Sequence, residues 1–219
     1  MNSTQRIRQA SRERRDLEKQ ELRQNILAAA AELFLEQGHE NFSLRRVAER
    51  IGYAPSTIYN YFDNKDDLLF TVVDEAYLGF KKQFIAASVN TTEPLERLIA
   101  LGETYLEFGL SHPVHYQLIF MRRSDYLLRP RQGEEQPRVM VLQVLHQAVK
   151  EIIEGGSLTF SGNLDNINHT EAYVNMFWAW MHGIVSLAIT MPIFDQKQVA
   201  QVWDLQKLVF GWFQAKPVN

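Results

Sequence analysis

Within six residues the chain sets out Ser56, Thr57, Tyr59, Asn60 and Tyr61, four hydroxyls and one amide. Such groups both donate and accept hydrogen bonds, so on one exposed face they can meet phosphate oxygens and base edges. Arg45, Arg46 and Lys65 flank the run with positive charge. The other candidates for chemistry are thinner. The 219 residues include no cysteine, which removes thiolate nucleophiles, disulfides and Cys-ligated metal centres together. Of six histidines only His112 and His115 are close, in a proline-containing turn. His182 lies in an apolar stretch, where a hydrogen-bonded core role is the ordinary one. Asp63, Asp66 and Asp67 form an acidic cluster, but at the head of a helix they read as capping and macrodipole partners rather than as metal ligands. No Gly-rich phosphate loop, G-x-S-x-G elbow or H-E-x-x-H pair is present. Neither a catalytic centre nor a cofactor or metal is expected.

The net charge of −3 argues against a polyanion binder until it is resolved by position. Residues 1–25 hold seven basic side chains (Arg6, Arg8, Arg12, Arg14, Arg15, Lys19, Arg23) against four acidic ones, and Ser43–Lys65 is again net positive. From Leu68 onward acids outnumber bases, 15 to 12. A basic head on a neutral-to-acidic body follows.

The elements that must position these groups all read as helices. Apolar residues recur at three- and four-residue steps and nowhere alternate with period two, so the fold class is all-α. Leu22, Ile26, Ala30 and Leu33–Phe34 form one stripe, stopped at Gly38. Ser43 caps a short helix to about Ile51, ended by Gly52, and a second short helix runs from Pro55 to about Phe62. A long amphipathic helix follows from Lys65 to about Ser88, then others over 95–109, 114–123, 141–154, 170–191 and 195–215. Loops are expected at 129–137 and 157–168. The division this suggests is a basic extension (1–21), a three-helix head (22–66) and a helical body (67–219).

Three helices in so few residues, the last two joined by a turn at Gly52–Ala54, match a helix-turn-helix. Leu44, Val47, Ala48, Ile51, Ile58 and Phe62 would face inward and the hydroxyl run outward. Here the run Ile26–Phe34, then Gly38, Phe42–Ala48 and Ala54–Leu69, closely resembles the TetR family of bacterial transcriptional regulators. The resemblance implies a transcriptional regulator, a repressor as the first reading with an activator left open: a DNA-binding head and a dimerising body controlled by a small effector. By position it places Ser43 and Arg45 near phosphates and base edges, Pro55, Ser56, Thr57, Tyr59, Asn60 and Tyr61 on the recognition surface, and Lys65 on a phosphate. Double-stranded operator DNA, a small-molecule effector and a second copy of the chain are the partners it implies. The basic extension either follows a groove as an arm, lengthens the first helix, or is a solvated end.

In the body, Ala172–Phe194 holds 23 residues without a formal charge, long enough to span a bilayer. Phe177, Trp178 and Trp180 lie toward its interior rather than at two interfacial belts, which favours a buried wall or interface over a membrane. Asn175, Ala179, His182, Ser186 and Thr190 form a seam of polar and small residues along it. Trp180–Met181–His182–Gly183 also resembles the Trp-x-His-Gly type of C-terminal domain in a subset of these regulators, which implies homodimerisation and an effector pocket. Tyr105, Phe108, Tyr116, Phe120, Met140, Phe177, Trp178 and His182 are the expected lining of a mostly apolar pocket for a hydrophobic effector. Ile184, Leu187, Val202, Leu205, Val209, Trp212 and Phe213 are the expected dimer face. With no cysteine and no secretory signal in view, a cytoplasmic protein is expected. An all-helical enzyme and a membrane-associated helical protein are the alternatives.

Overall fold

The computed structural model describes residues 3–121, 137–155, 168–195 and 197–205, and among them every regular element is helical. Tertiary packing divides the chain into two compact units that part within one long helix, between Ala76 and Tyr77.

The first unit opens with α1 (Ser3–Asn41), which buries Ile26, Leu27, Ala30, Leu33 and Phe34. Gly38 breaks its helical geometry at φ 70°, a left-handed conformation that side-chain-bearing residues rarely adopt. From Ser3 on, the extension is part of α1. Next comes α2 (Leu44–Ile51), whose orphan Arg46 N–H is met by the Ser43 Oγ at 3.3 Å. Gly52, at φ 74°, ends α2, while Tyr53 donates its N–H to the Ala48 carbonyl at 2.9 Å. Helix α3 (Pro55–Tyr59) carries its proline in the first turn. It is three residues shorter than the predicted Pro55–Phe62, yet Tyr61 and Phe62 still donate to the Ile58 carbonyl and continue the coil.

The first part of α4 (Lys65–Val89) completes this core with Leu68, Leu69, Val72 and Val73. Its N-terminus is capped by Asn64, whose Oδ1 accepts from the backbone of Asp66 at 3.0 Å and of Asp67 at 2.9 Å. Asp67 returns a carboxylate to the Asp63 N–H, one residue before the cap, at 3.1 Å. The acidic cluster is thus a helix start, with Asn64 in the leading role. Among the described residues no group of acids and histidines is arranged to hold a metal. A π-helical turn, Gln117–Met121, packs on α1 in this unit and buries Leu118 and Ile119.

The second unit contains the rest of α4, α5 (Pro94–Ser111), α6 (Pro113–Tyr116), α7 (Pro137–Glu154), α8 (His169–Thr190) and a helical stretch over 197–205. Helix α5 packs on both α7 and α8. Its close approach depends on two glycines seven positions apart. A Cβ at Gly109 would press on Val185 and lie 3.1 Å from Tyr116 Cδ2, and one at Gly102 would press on Trp203. Arg97 ties α5 to Glu151 of α7 and to the carbonyls of Thr91 and Thr92. Phe80, Phe84, Tyr105 and Phe108 form an aromatic cluster, with Phe80 4.8 Å from Phe108 and 5.8 Å from Tyr105 between ring centres.

Helix α8 is long and apolar enough to cross a membrane. Its apolar character has a local cause: Val174, Phe177, Met181, Ile184 and Val185 recur at three- and four-residue steps and are buried. Met176 and Leu187 are exposed on one side of that buried face and Trp178 on the other.

Gly109→Ala should destabilise the full-length chain by about 1–3 kcal/mol through overpacking, read as a lower urea midpoint. Adding Val185→Ala should recover part of that loss, and strictly additive losses would show that the two positions do not compete for the same space.

Candidate nucleic-acid interface

The short helix α3 is held from beneath. Ile58 is fully buried and Phe62 nearly so, which leaves Pro55, Ser56, Tyr59 and Asn60 exposed and Thr57 and Tyr61 half-buried. Tyr59 is 58% exposed, unusual for an aromatic with no groove to fill. Tyr53, 48% exposed in the turn beside Gly52, joins this surface. Reading the helix face alone missed it, because it precedes the helix. An aromatic directly after a left-handed glycine was the available signal.

The flanking cations are partly engaged within the unit. Ser43 serves as the α2 cap, Arg45 Nε donates to Glu49 at 3.0 Å, and Arg46 donates to Gln37 of α1. Arg50 grips Glu36 with both amino groups, at 3.1 and 2.6 Å, pinning α2 to α1. That hydrogen-bonded pair holds the Glu36 carboxyl below its usual range and the Arg50 guanidinium above its own. Lys65 directs one of its three N–H groups to the His39 carbonyl at 3.3 Å, while His39 Nε2 sits 2.9 Å from Asp66 Oδ1. The end of α1 is thereby latched to the start of α4. Arg23 closes the other side, 2.6 Å from Glu75 and over the Phe62 ring at 5.8 Å.

In the second unit, the structure brings three of the expected pocket residues into one hydrogen-bonded cluster, with Trp178 against it. Tyr105 and Tyr116 hydroxyls are 2.9 Å apart, and the Tyr116 hydroxyl lies 2.6 Å from His182 Nδ1. The Tyr116 and His182 rings stack at 5.7 Å, and Trp178 leans on His182 at 5.9 Å. Ser186 Oγ is 3.5 Å from His182 Nε2. Burial drives the ionisation of both tyrosines far upward and that of His182 downward, so at neutral pH the cluster carries no charge. One ordering is consistent with these distances: Tyr105 donates to Tyr116, Tyr116 to His182 Nδ1, and His182 Nε2–H to Ser186. Phe108 and Phe177 are ordinary buried neighbours, Phe108 against Phe80 and Phe177 beside Gly102. Phe120 is half-buried in the π-helical turn of the first unit, and the Met140 side chain lies outside the described residues.

Of the expected dimer face, Leu187 and Leu205 are exposed and Val202 is half-buried. Ile184 is packed inside its own chain, because it falls on the Val174–Met181–Val185 side of α8. Val209, Trp212 and Phe213 lie outside the described residues. Met176, Met191 and Ile193 are exposed apolar residues that the sequence pattern did not single out.

The half-buried His182, its pKa lowered by desolvation, fixes the sign of a pH effect. Unfolded, it protonates near pH 6.5; folded, it resists. Its contribution to stability is present above that pH and is lost as pH falls. The thermal midpoint should therefore drop more between pH 7.5 and 5 for the wild-type chain than for His182→Gln. His115, also held neutral by burial, adds the same slope to both. Equal slopes would refute the assignment.

Comparison with known proteins places both units. A model described as bacterial regulatory proteins, tetR family, matches residues 26–72, and one described as tetracyclin repressor-like, C-terminal domain, matches residues 98–207. The latter description is broader than the Trp-x-His-Gly subset. Over 115 residues the chain is 29% identical to the HTH-type transcriptional activator FasR of Mycolicibacterium smegmatis, a stretch that is 52% of each protein. The chain thus spans about half the length of this curated relative in the match. Its fold is similar to that of the fatty acid degradation regulator FadR from Bacillus halodurans, with a TM-score of 0.64, 17% identity and coverage of 86% of this chain and 93% of that one. It is also similar to FadR from Bacillus subtilis, solved in complex with stearoyl-CoA, with a TM-score of 0.57, 18% identity and coverage of 88% and 97%. At these identities the structural likeness is one of fold. The two matched models cover residues 26–72, the helix-turn-helix, and residues 98–207, half of the whole chain, and the chain belongs to the tetR family of bacterial regulatory proteins.

Proposed function

We propose that the chain is a homodimeric, cytoplasmic repressor that binds operator DNA through α3 and leaves it when a hydrophobic small molecule enters the helical body. The observation that carries this is the α3 surface, where Ser56, Tyr59 and Asn60 stand exposed over buried Ile58 and Phe62. A rigidly backed run of hydroxyl, amide and aromatic groups is what a major groove accepts. Pro55, Thr57 and Tyr61 complete the recognition surface, and Ser43, Arg45, Arg46 and Lys65 flank it.

Dimerisation would cover the outward face of α8. Met176 and Leu187 are exposed there, about 20° apart in helical phase, with exposed Met191 just beyond the helix, an apolar surface that a monomer rarely leaves open. Two copies related by a two-fold axis present two α3 helices to half-sites about 34–36 Å apart, or a multiple of that.

The effector reading rests on the Trp178–Tyr105–Tyr116–His182 cluster. An uncharged relay inside an apolar body suits a neutral acceptor, such as an ester or thioester carbonyl, with an acyl chain on the aromatic side. The stearoyl-CoA in the B. subtilis neighbour makes long-chain acyl thioesters the first class to test. An effector that binds the DNA-free arrangement better lowers operator affinity by that difference. Helix α4, which contributes residues to both units, is the element able to carry the shift.

The full-length protein should retard a duplex from upstream of its own gene, measured by fluorescence anisotropy. Tyr59→Ala, folded and dimeric, should lose about 1–3 kcal/mol of binding, roughly 5- to 150-fold. Stearoyl-CoA should release the DNA, and Tyr116→Phe should blunt that release without changing operator affinity. Undiminished binding by Tyr59→Ala would contradict the reading.

A further inference from the structure

The extension at the start of the chain is helical, and its helical phase sorts its charges. At 3.6 residues per turn, Arg8, Arg12, Arg15, Lys19 and Arg23 step by four, three, four and four and fall in one sector about 80° wide. Asp16 lies at the margin of this sector, while Glu13, Glu18 and Glu21 lie outside it. Arg8, Arg12, Arg15 and Lys19 are all exposed. The ion pair in this part of α1, Arg14 with Glu18 at 3.6 Å, is off the stripe, and among the described residues no ion pair engages those four cations. Like charges at these spacings repel along a helix, and a polyanion relieves that repulsion.

The inner end of the stripe is anchored. Arg23 lies over the ring of Phe62, directly beyond α3, and pairs with Glu75 of α4. From there the stripe runs outward for about 22 Å along the helix axis to Arg8.

We propose that the N-terminal half of α1 is a second DNA-contacting element, a rigid basic stripe that lies along the phosphate backbone flanking the site read by α3. This rests on the DNA-binding reading above and adds to it a surface outside the helix-turn-helix. Duplex DNA offers one negative charge per ~1.7 Å of axis, a continuous match for a straight row of cations. A membrane surface is the poorer fit, because a helix lying in a bilayer needs a broad apolar face. Opposite the stripe the apolar residues are only Ile7, Ala10 and Leu17, interspersed with Arg6, Glu13, Arg14 and Glu21.

The test uses the full-length protein, a non-operator duplex and a potassium chloride titration. Replacing Arg8, Arg12, Arg15 and Lys19 together by Gln preserves helix propensity and removes four cations. The slope of log affinity against log salt should become shallower by roughly 3–4, at about 0.9 for each phosphate no longer neutralised. A variant with Arg8, Arg12 and Arg15 changed to Lys should keep the wild-type slope. Circular dichroism should show the same helix content in all three proteins. A wild-type chain that binds the duplex with a slope unchanged in the Gln variant would overturn the stripe while leaving the α3 reading intact. A wild-type chain that fails to bind any duplex would overturn both. Capture by phosphatidylglycerol vesicles that is lost in the Gln variant, with its DNA slope unchanged, would assign the stripe to a membrane and overturn the proposal.

Discussion

A helix of five residues cannot hold itself together in water, and α3 is such a helix. One turn of backbone hydrogen bonding does not offset the entropy of ordering it, so its position is set by what lies beneath. Ile58 and Phe62 supply that anchorage, both buried, with α2 packed on α3 and Arg23 of α1 over the Phe62 ring. The left-handed Gly52 sets the angle at which the chain leaves α2, and Pro55 restricts the first turn. The surrounding polar contacts serve the same end. Arg50 on Glu36 fixes α2 to α1, and Lys65 on the His39 carbonyl fixes α1 to α4. Tyr59 and Asn60 can stand in water at a defined angle because their backing is held from several sides.

The body meets a different constraint, that of placing polar groups inside an apolar bundle. A phenol or imidazole buried without a partner costs about 1–3 kcal/mol, so Tyr105, Tyr116 and His182 are tolerable only as a connected set. They come from α5, α6 and α8, and their hydrogen bonds fix the register among those helices. The glycines of α5 let the helices approach closely enough for the set to form: Gly109 faces both Val185 and the Tyr116 ring. A group that is satisfied, uncharged and beside the half-exposed Trp178 is well suited to exchanging a partner for a ligand.

What was readable in the sequence followed from local rules. Ser43, Gly38, Gly52 and Pro55 each act within a few residues of backbone, and each stands where capping and left-handed geometry require. The outward face of α3 was readable because Ile58 and Phe62 mark its inner face. Asn64 was overlooked in favour of three neighbouring acids, since charge draws attention that hydrogen-bond geometry does not. The charge count found the basic extension but could not order it. Only once residues 3–23 are known to be one helix does the stripe separate from Arg6 and Arg14. The division of α8 was the hardest to read. Ile184 and Leu187 are equally apolar, and which one turns inward is decided by α5 and α7, far away in sequence. The two glycines of α5 were visible as part of a stripe, but their function in close packing depends on Val185 and Trp203, distant partners that no local pattern names.

The central claim is that a two-fold pair of α3 helices reads DNA. Sequencing the genomic DNA that the full-length protein enriches tests it most directly. The account predicts a shared, near-palindromic site with half-sites one helical turn or a multiple apart, absent when Tyr59 is replaced by Ala. Enriched DNA with no common motif, or a motif without two-fold symmetry, would contradict it.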